Sequence, residues 1–96
     1  MSRRPVYKFR LFIAADTLNS VQAASNLNAL CKAHLAGRHE IEVIDVFKDS
    51  KRALAEGIRM TPTLVKLAPG PERRIIGSLT DTDRVMQTLG LDADAA

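Results

Sequence analysis

The chain has 96 residues, 46% hydrophobic and 26% charged, with a formal net charge of +3 and a pI of about 9.4. That length holds one domain around one core; no apolar run nears the ~20 residues of a membrane helix, and the opening MSRRPVYKF lacks the apolar stretch of a secretory signal. The one cysteine, Cys31, leaves no internal disulfide and suits a reducing compartment, so a cytoplasmic bacterial-type protein is expected.

Residues 6–14 (VYKFRLFIA) alternate, which predicts a strand. Tyr7, Phe9, Leu11 and Ile13 share one side; Lys8 and Arg10 take the other, where Phe12 joins them. Residues 15–20 are a turn rich in cap formers. Asn19 with Gln22 resembles a capping box, and Asp16 and Thr17 are the other candidate caps. A helix is expected to run to about Leu35, with Val21, Ala24, Leu27, Cys31 and Leu35 as its buried stripe, Leu30 beside them and Gly37 as the stop. Residues 40–47 (EIEVIDVF) carry apolar residues on alternate and adjacent positions, which predicts a strand covered on both faces. Strand, helix, strand then forms a right-handed parallel unit. Asp49 or Ser50 caps a short helix over 50–56, ended by Gly57. Thr61-Pro62-Thr63 opens a strand over 62–68, Pro69-Gly70-Pro71 turns the chain, and a strand over 72–77 runs back. Thr80 with Asp83 resembles a second capping box, starting a helix that buries Val85, Met86 and Leu89 and closes at Gly90. The order βαβαββα is the thioredoxin topology, an α/β fold in a single domain over 1–96, with residues 1–5 and 91–96 expected to be flexible.

A thioredoxin carries Cys-x-x-Cys where its first strand meets its first helix, because the helix N-terminus lowers the thiolate pKa. Here that place is Ala15-Asp16-Thr17-Leu18-Asn19-Ser20, without a thiol. Cys31 lies about three turns further on, where a small buried hydrophobe is the simplest reading. Ser20 could offer a hydroxyl to a glutathione-type ligand, but a first-turn or capping role is simpler. His34 and His39 have no companions at metal-ligand spacing, no phosphate-binding or nucleophile-elbow motif is present, and no cofactor is expected. The bases fall in groups: Arg3, Arg4, Lys8 and Arg10; Lys48, Lys51 and Arg52; Arg73 and Arg74. One tyrosine and three phenylalanines are too few to interleave them for base stacking, so a solvated surface or an acidic partner is a better reading than nucleic acid. Thr61-Pro62-Thr63 stands at the usual setting of the cis-proline of thioredoxin-like folds, so Pro62 is expected to be cis, an isomer that costs only ~1 kcal/mol at an X-Pro bond.

YKFRLFIAADTLNSVQAASNL, EIEVIDVFKD and TPTLVKLAPGPERRIIGSLTD together resemble the KaiB family of bacterial clock proteins, without an obvious gap from Tyr7 to Met86. The most specific pieces are Thr17 with Asn19-Ser20-Val21, Val43-Ile44-Asp45-Val46, Thr61-Pro62-Thr63-Leu64 and Arg73-Arg74-Ile75-Ile76-Gly77. The resemblance implies a non-enzymatic regulator that binds a KaiC-type ATPase in a clock or timer, with KaiA or a histidine kinase as further partners. It also implies a metamorphic chain: a thioredoxin-like form, and a second form, often oligomeric (dimer or tetramer), in which the second half is rearranged. Lys48, Lys51 and Arg52 would steer the encounter with an acidic face, and Lys66, Arg73 and Arg74 would fix its register. Pro62, Gly77, Gly90 and Asp92 would be the structural positions of the rearranging half. An adaptor for a histidine kinase in stress signalling is the alternative, and a glutathione-binding enzyme of thioredoxin fold the remote one. The chain departs from the family pattern at Ala15, where glycine is usual, at Leu18, where proline is usual, at Gly70 within a usual run of prolines, and at Ser78, where aspartate is usual.

Overall fold

The alternation in the first strand decides how the molecule is layered. A computed structural model describes residues 5–91 and places β1 (Tyr7–Ile13), α1 (Leu18–His34), β2 (His39–Asp45), α2 (Ser50–Ala55), β3 (Thr63–Ala68), β4 (Arg73–Ile76) and α3 (Thr82–Leu89) in the expected order. The sheet order is β2-β1-β3-β4. β1 pairs in parallel with β2, from Tyr7↔His39 to Ile13↔Asp45, and antiparallel with β3, where Phe12 faces Thr63. β4 pairs antiparallel with β3, Lys66 facing Arg73.

One side of β1 carries Tyr7, Phe9 and Leu11 into the main core, against Leu27 and Cys31 of α1, Leu64 of β3 and Leu89 of α3. The other side carries Phe12 into a smaller cluster with Ile44, Ala53 and Val65. Two helices thus cover one face of the sheet, and the six-residue α2 is the helix on the other.

Two predicted burial patterns are corrected. In α1 the buried residues are Ser20, Ala23, Leu27, Leu30 and Cys31, whereas Val21 is 52% exposed and Ala24 only partly buried. The first turn is set by Ser20, whose Oγ accepts the Ala14 N–H. β2 is an edge strand, with Glu40, Glu42 and Val43 exposed and Ile44 its one buried residue; Val43 pairs with Leu11 and so stands on the α1–α3 face, uncovered at the sheet edge, while Glu40, Glu42 and Ile44 share the α2 face.

Thr17, one of the candidate caps, occupies the N-cap of α1 without a side-chain bond, so the Asn19–Gln22 capping box does not start the helix. Asp81, not Thr80, caps α3 by accepting the Arg84 N–H at 3.3 Å. Asp49 caps α2, as one of the two anticipated residues. Gly90 closes α3 in the left-handed conformation (φ 78°), and the Leu91 N–H then reaches the Met86 carbonyl at 2.8 Å, which buries Leu91. Gly77 sits at φ 118°, a backbone only glycine adopts without strain, and donates its N–H to the Pro62 carbonyl at 2.9 Å. The Thr61–Pro62 bond is cis, as are those before Pro69 and Pro71. Arg3, Arg4, Asp92 and the terminal residues read as flexible, apart from Pro5 and Leu91, lie outside the described residues.

Candidate partner-binding surface

Topology gathers four connections at one end of the sheet. β1 and β2 finish there, β3 starts there and β4 finishes there, so residues 14–20, 46–49, 60–62 and 77–81 share that end. Because Phe12 faces Thr63, Pro62 comes beside the end of β1, next to the head of α1. In a thiol oxidoreductase this is the reactive corner. Here Ser20 is 1% exposed and its Oγ accepts the Ala14 N–H at 3.0 Å, tying the helix to the strand instead of facing a ligand. Cys31 is fully buried in the core, and burial pushes its thiol up to about 11, so it stays protonated and unreactive at neutral pH. Ala15, standing where the resemblance expects glycine, is held at φ 51°.

What this end presents outward is apolar side chains edged by charge of both signs. Leu18, Phe47, Met60 and Ile76 are exposed large hydrophobics, and Lys48 and Lys51 are exposed there, as are Asp16, Asp49 and Asp81. Exposed apolar side chains gathered at one place and edged by charge are the usual composition of a protein-binding surface.

The six basic residues expected to bind a partner do not form one patch. Lys48, Lys51 and Arg52 belong to the β2–α2 connection and α2, at the end just described. Lys66 and Arg73 face each other across β3 and β4, towards the opposite end of the sheet and on the face covered by α1 and α3. Arg74 is on the other face, exposed and 3.4 Å from Glu72. Lys66 is 5% exposed, its Nζ 5.8 Å from the centre of the Tyr7 ring, and burial holds its ammonium below the ordinary lysine value, with Arg73 adding to the effect.

Arg52 is occupied within the protein. It makes a two-pronged contact with Glu42, Nη1 to Oε2 at 2.8 Å and Nη2 to Oε1 at 2.7 Å, and lies 3.7 Å from Glu56. Arg10 closes the network, reaching Glu42 at 3.2 Å and Glu56 at 2.7 Å. The Arg52 hydrogen bond, seconded by Arg10, holds the Glu42 carboxyl below its usual range, and Glu42 in turn raises Arg52. The sequence reading named Arg52 without its partners. Arg52 and Glu56 stand four apart on one helix and were legible as a pair; Arg10 and Glu42 meet only through the β1–β2 register. His34 is exposed, and a ring nitrogen of His39 lies 2.8 Å from the Leu35 carbonyl, so neither stands in a ligand cluster; no group of metal-ligating side chains occurs among the described residues.

The profile of the KaiB domain matches residues 10–91. The chain belongs to the KaiB family. It is 42% identical over 92 residues to the circadian clock oscillator protein KaiB of Prochlorococcus marinus (strain MIT 9313), covering 96% of this chain and 76% of that protein. With the KaiB of Acaryochloris marina (strain MBIC 11017) the identity is 42% over 91 residues, covering 95% and 86%. Solved structures show the thioredoxin-like fold shared across this KaiB-family chain and more distant proteins. Chloroplastic thioredoxin z superposes with a TM-score of 0.75 at 22% identity over 94% of this chain and 81% of that one. The N-terminal domain of Synechococcus elongatus SasA gives 0.73 at 22%, over 94% and 89%. Membership of the KaiB family supports a regulatory role in a clock system. No described helix is long and apolar enough to cross a membrane.

Proposed function

We propose that the protein is a non-enzymatic regulator that docks, in the thioredoxin-like form described here, on a KaiC-type ATPase in a circadian clock or a simpler timer. The observation that carries this reading is the corner at the head of α1. The position that would hold a nucleophile in an oxidoreductase holds the buried Ser20, bonded to Ala14, while the surrounding end of the sheet turns apolar side chains and Lys48 and Lys51 to solvent. Lys48 and Lys51 steer an acidic face of the ATPase towards that end. Such charges act mainly on association rate and specificity, so the Lys48→Ala/Lys51→Ala variant is expected to associate about tenfold more slowly at low salt and to differ little at high salt. The test is size-exclusion chromatography and biolayer interferometry with a KaiC-type ATPase under ATP-hydrolysing conditions. Absence of any complex removes the reading, and a complex formed only with a histidine kinase replaces it by the adaptor role. Insulin reduction and glutathione titration are expected to give no activity and no binding.

A further inference from the structure

The second half holds one basic side chain whose stem the fold packs away and whose ammonium has no carboxylate partner among the described residues. Lys66 is 5% exposed, its Nζ keeps contact with solvent, and the ion pairs among the described residues belong to Arg10, Arg52 and Arg74. Its surroundings form a cleft between the start of β1, the Pro69–Pro71 turn, the start of β4 and the end of α3. Tyr7 lies beneath the ammonium as an aromatic floor and Arg73 brings a second cation from the facing strand. Gln87 and Thr88 are the polar side chains from α3, and neither is acidic. At the helix end the Gln87 and Met86 carbonyls accept the N–H groups of Gly90 and Leu91, and the Thr88 hydroxyl donates to the Arg84 carbonyl.

Partly desolvating an ammonium without a counter-charge is unfavourable, and two cations brought together on one side of a cleft repel each other. A single oxyanion placed between them removes both penalties at once, and the guanidinium and ammonium then supply charge-assisted hydrogen bonds to it. We infer that the cleft formed by Tyr7, Lys66, Arg73 and the Pro69–Pro71 turn is an oxyanion-binding site, separate from the apolar end of the sheet, that accepts one carboxylate or phosphate group. The chemistry is common to an acidic side chain on a docking protein and to a free phosphate.

The test uses the intact protein with lysine and arginine side chains isotopically labelled. The Lys66 and Arg73 side-chain signals are followed by NMR during titration with sodium acetate and, separately, sodium phosphate, with chloride making up constant ionic strength. A saturating shift at both residues is expected. Saturation by acetate identifies a carboxylate reader, saturation by phosphate alone identifies a free-anion site, and a shift that never saturates with either overturns the inference. Lys66→Met separates ligand binding from a structural role. It is expected to abolish saturation and to leave the melting temperature at least as high as the parent's, because methionine keeps the packed stem and removes a cation that faces Arg73. A variant that melts lower than the parent makes Lys66 a structural residue and also overturns the inference. Arg73→Ala, at an exposed position, is expected to fold normally and weaken saturation at least fivefold. These outcomes need no ATPase, so they stand whether or not the complex proposed above forms.

Discussion

Ala15 is a residue in the wrong conformation for its side chain. Its φ of 51° costs an L-residue with a Cβ about 1 kcal/mol or more relative to glycine. Ala15→Gly is therefore expected to stabilise the protein by about 0.5–1 kcal/mol in urea unfolding, the gain being reduced by the looser unfolded chain. Cys31 allows a second check at this scale. Its raised thiol value means that folded protein binds this proton more tightly than the unfolded chain, so the group adds stability below the ordinary thiol value of about 8.5 and loses it as pH rises towards 11. Iodoacetamide at pH 8 is expected to leave Cys31 unmodified in native protein and to label it once urea unfolds the chain, as mass spectrometry would show. The burial of Cys31 was legible from its place among apolar residues at helical spacing. That of Ser20 was not, because the hydrogen bond that draws it inward comes from Ala14, outside the helix whose periodicity was being read.

The elements differ in how plainly their residues announced them. β1 and α3 carry clean periods of two and 3.6, and their buried residues are the expected ones. In α1 Leu27, Leu30 and Cys31, with Leu35 at its C-cap, are buried as expected, and the first turn differs: Val21 is apolar, but apolarity does not say which side faces the sheet, and Ser20 and Ala23 are buried there instead. β2 was read as enclosed because its composition says how apolar it is and not what arrives to cover it. The same strand carries Glu42, whose pairing with Arg52 and Arg10 depends on register. The pH dependence of that pairing has a definite sign. A carboxyl held low in the folded state contributes stability above the ordinary glutamate value of about 4.3 and loses it as pH falls through the folded value. Glu42→Gln is expected to lower stability at pH 7 by a constant amount down to about pH 5, with the gap to the parent closing in more acidic buffer; urea midpoints across pH 2–7 would measure it.

Seen whole, the molecule has two unequal layers, and the difference lies in the forces that hold them. Apolar area fixes α1 and α3 against the sheet over a core running from Tyr7 to Leu91. On the other face the apolar cluster is small, and the four charges of Arg10, Glu42, Arg52 and Glu56 do much of the fastening of α2. The topology and the two-sided sheet were readable in the order of elements; this imbalance was not, since it depends on how far a six-residue helix reaches. Charge contacts weaken when mobile ions crowd around them, whereas apolar contacts do not. Amide hydrogen–deuterium exchange should therefore be fastest in α2 among the helices. Raising sodium chloride from about 0.05 to 1 M, which shrinks the screening distance several-fold, should quicken it there while β1 and α1 barely change. The helix that carries Lys51 would then come loose on its own, a local opening metered by ionic strength while the remainder of the domain stays shut.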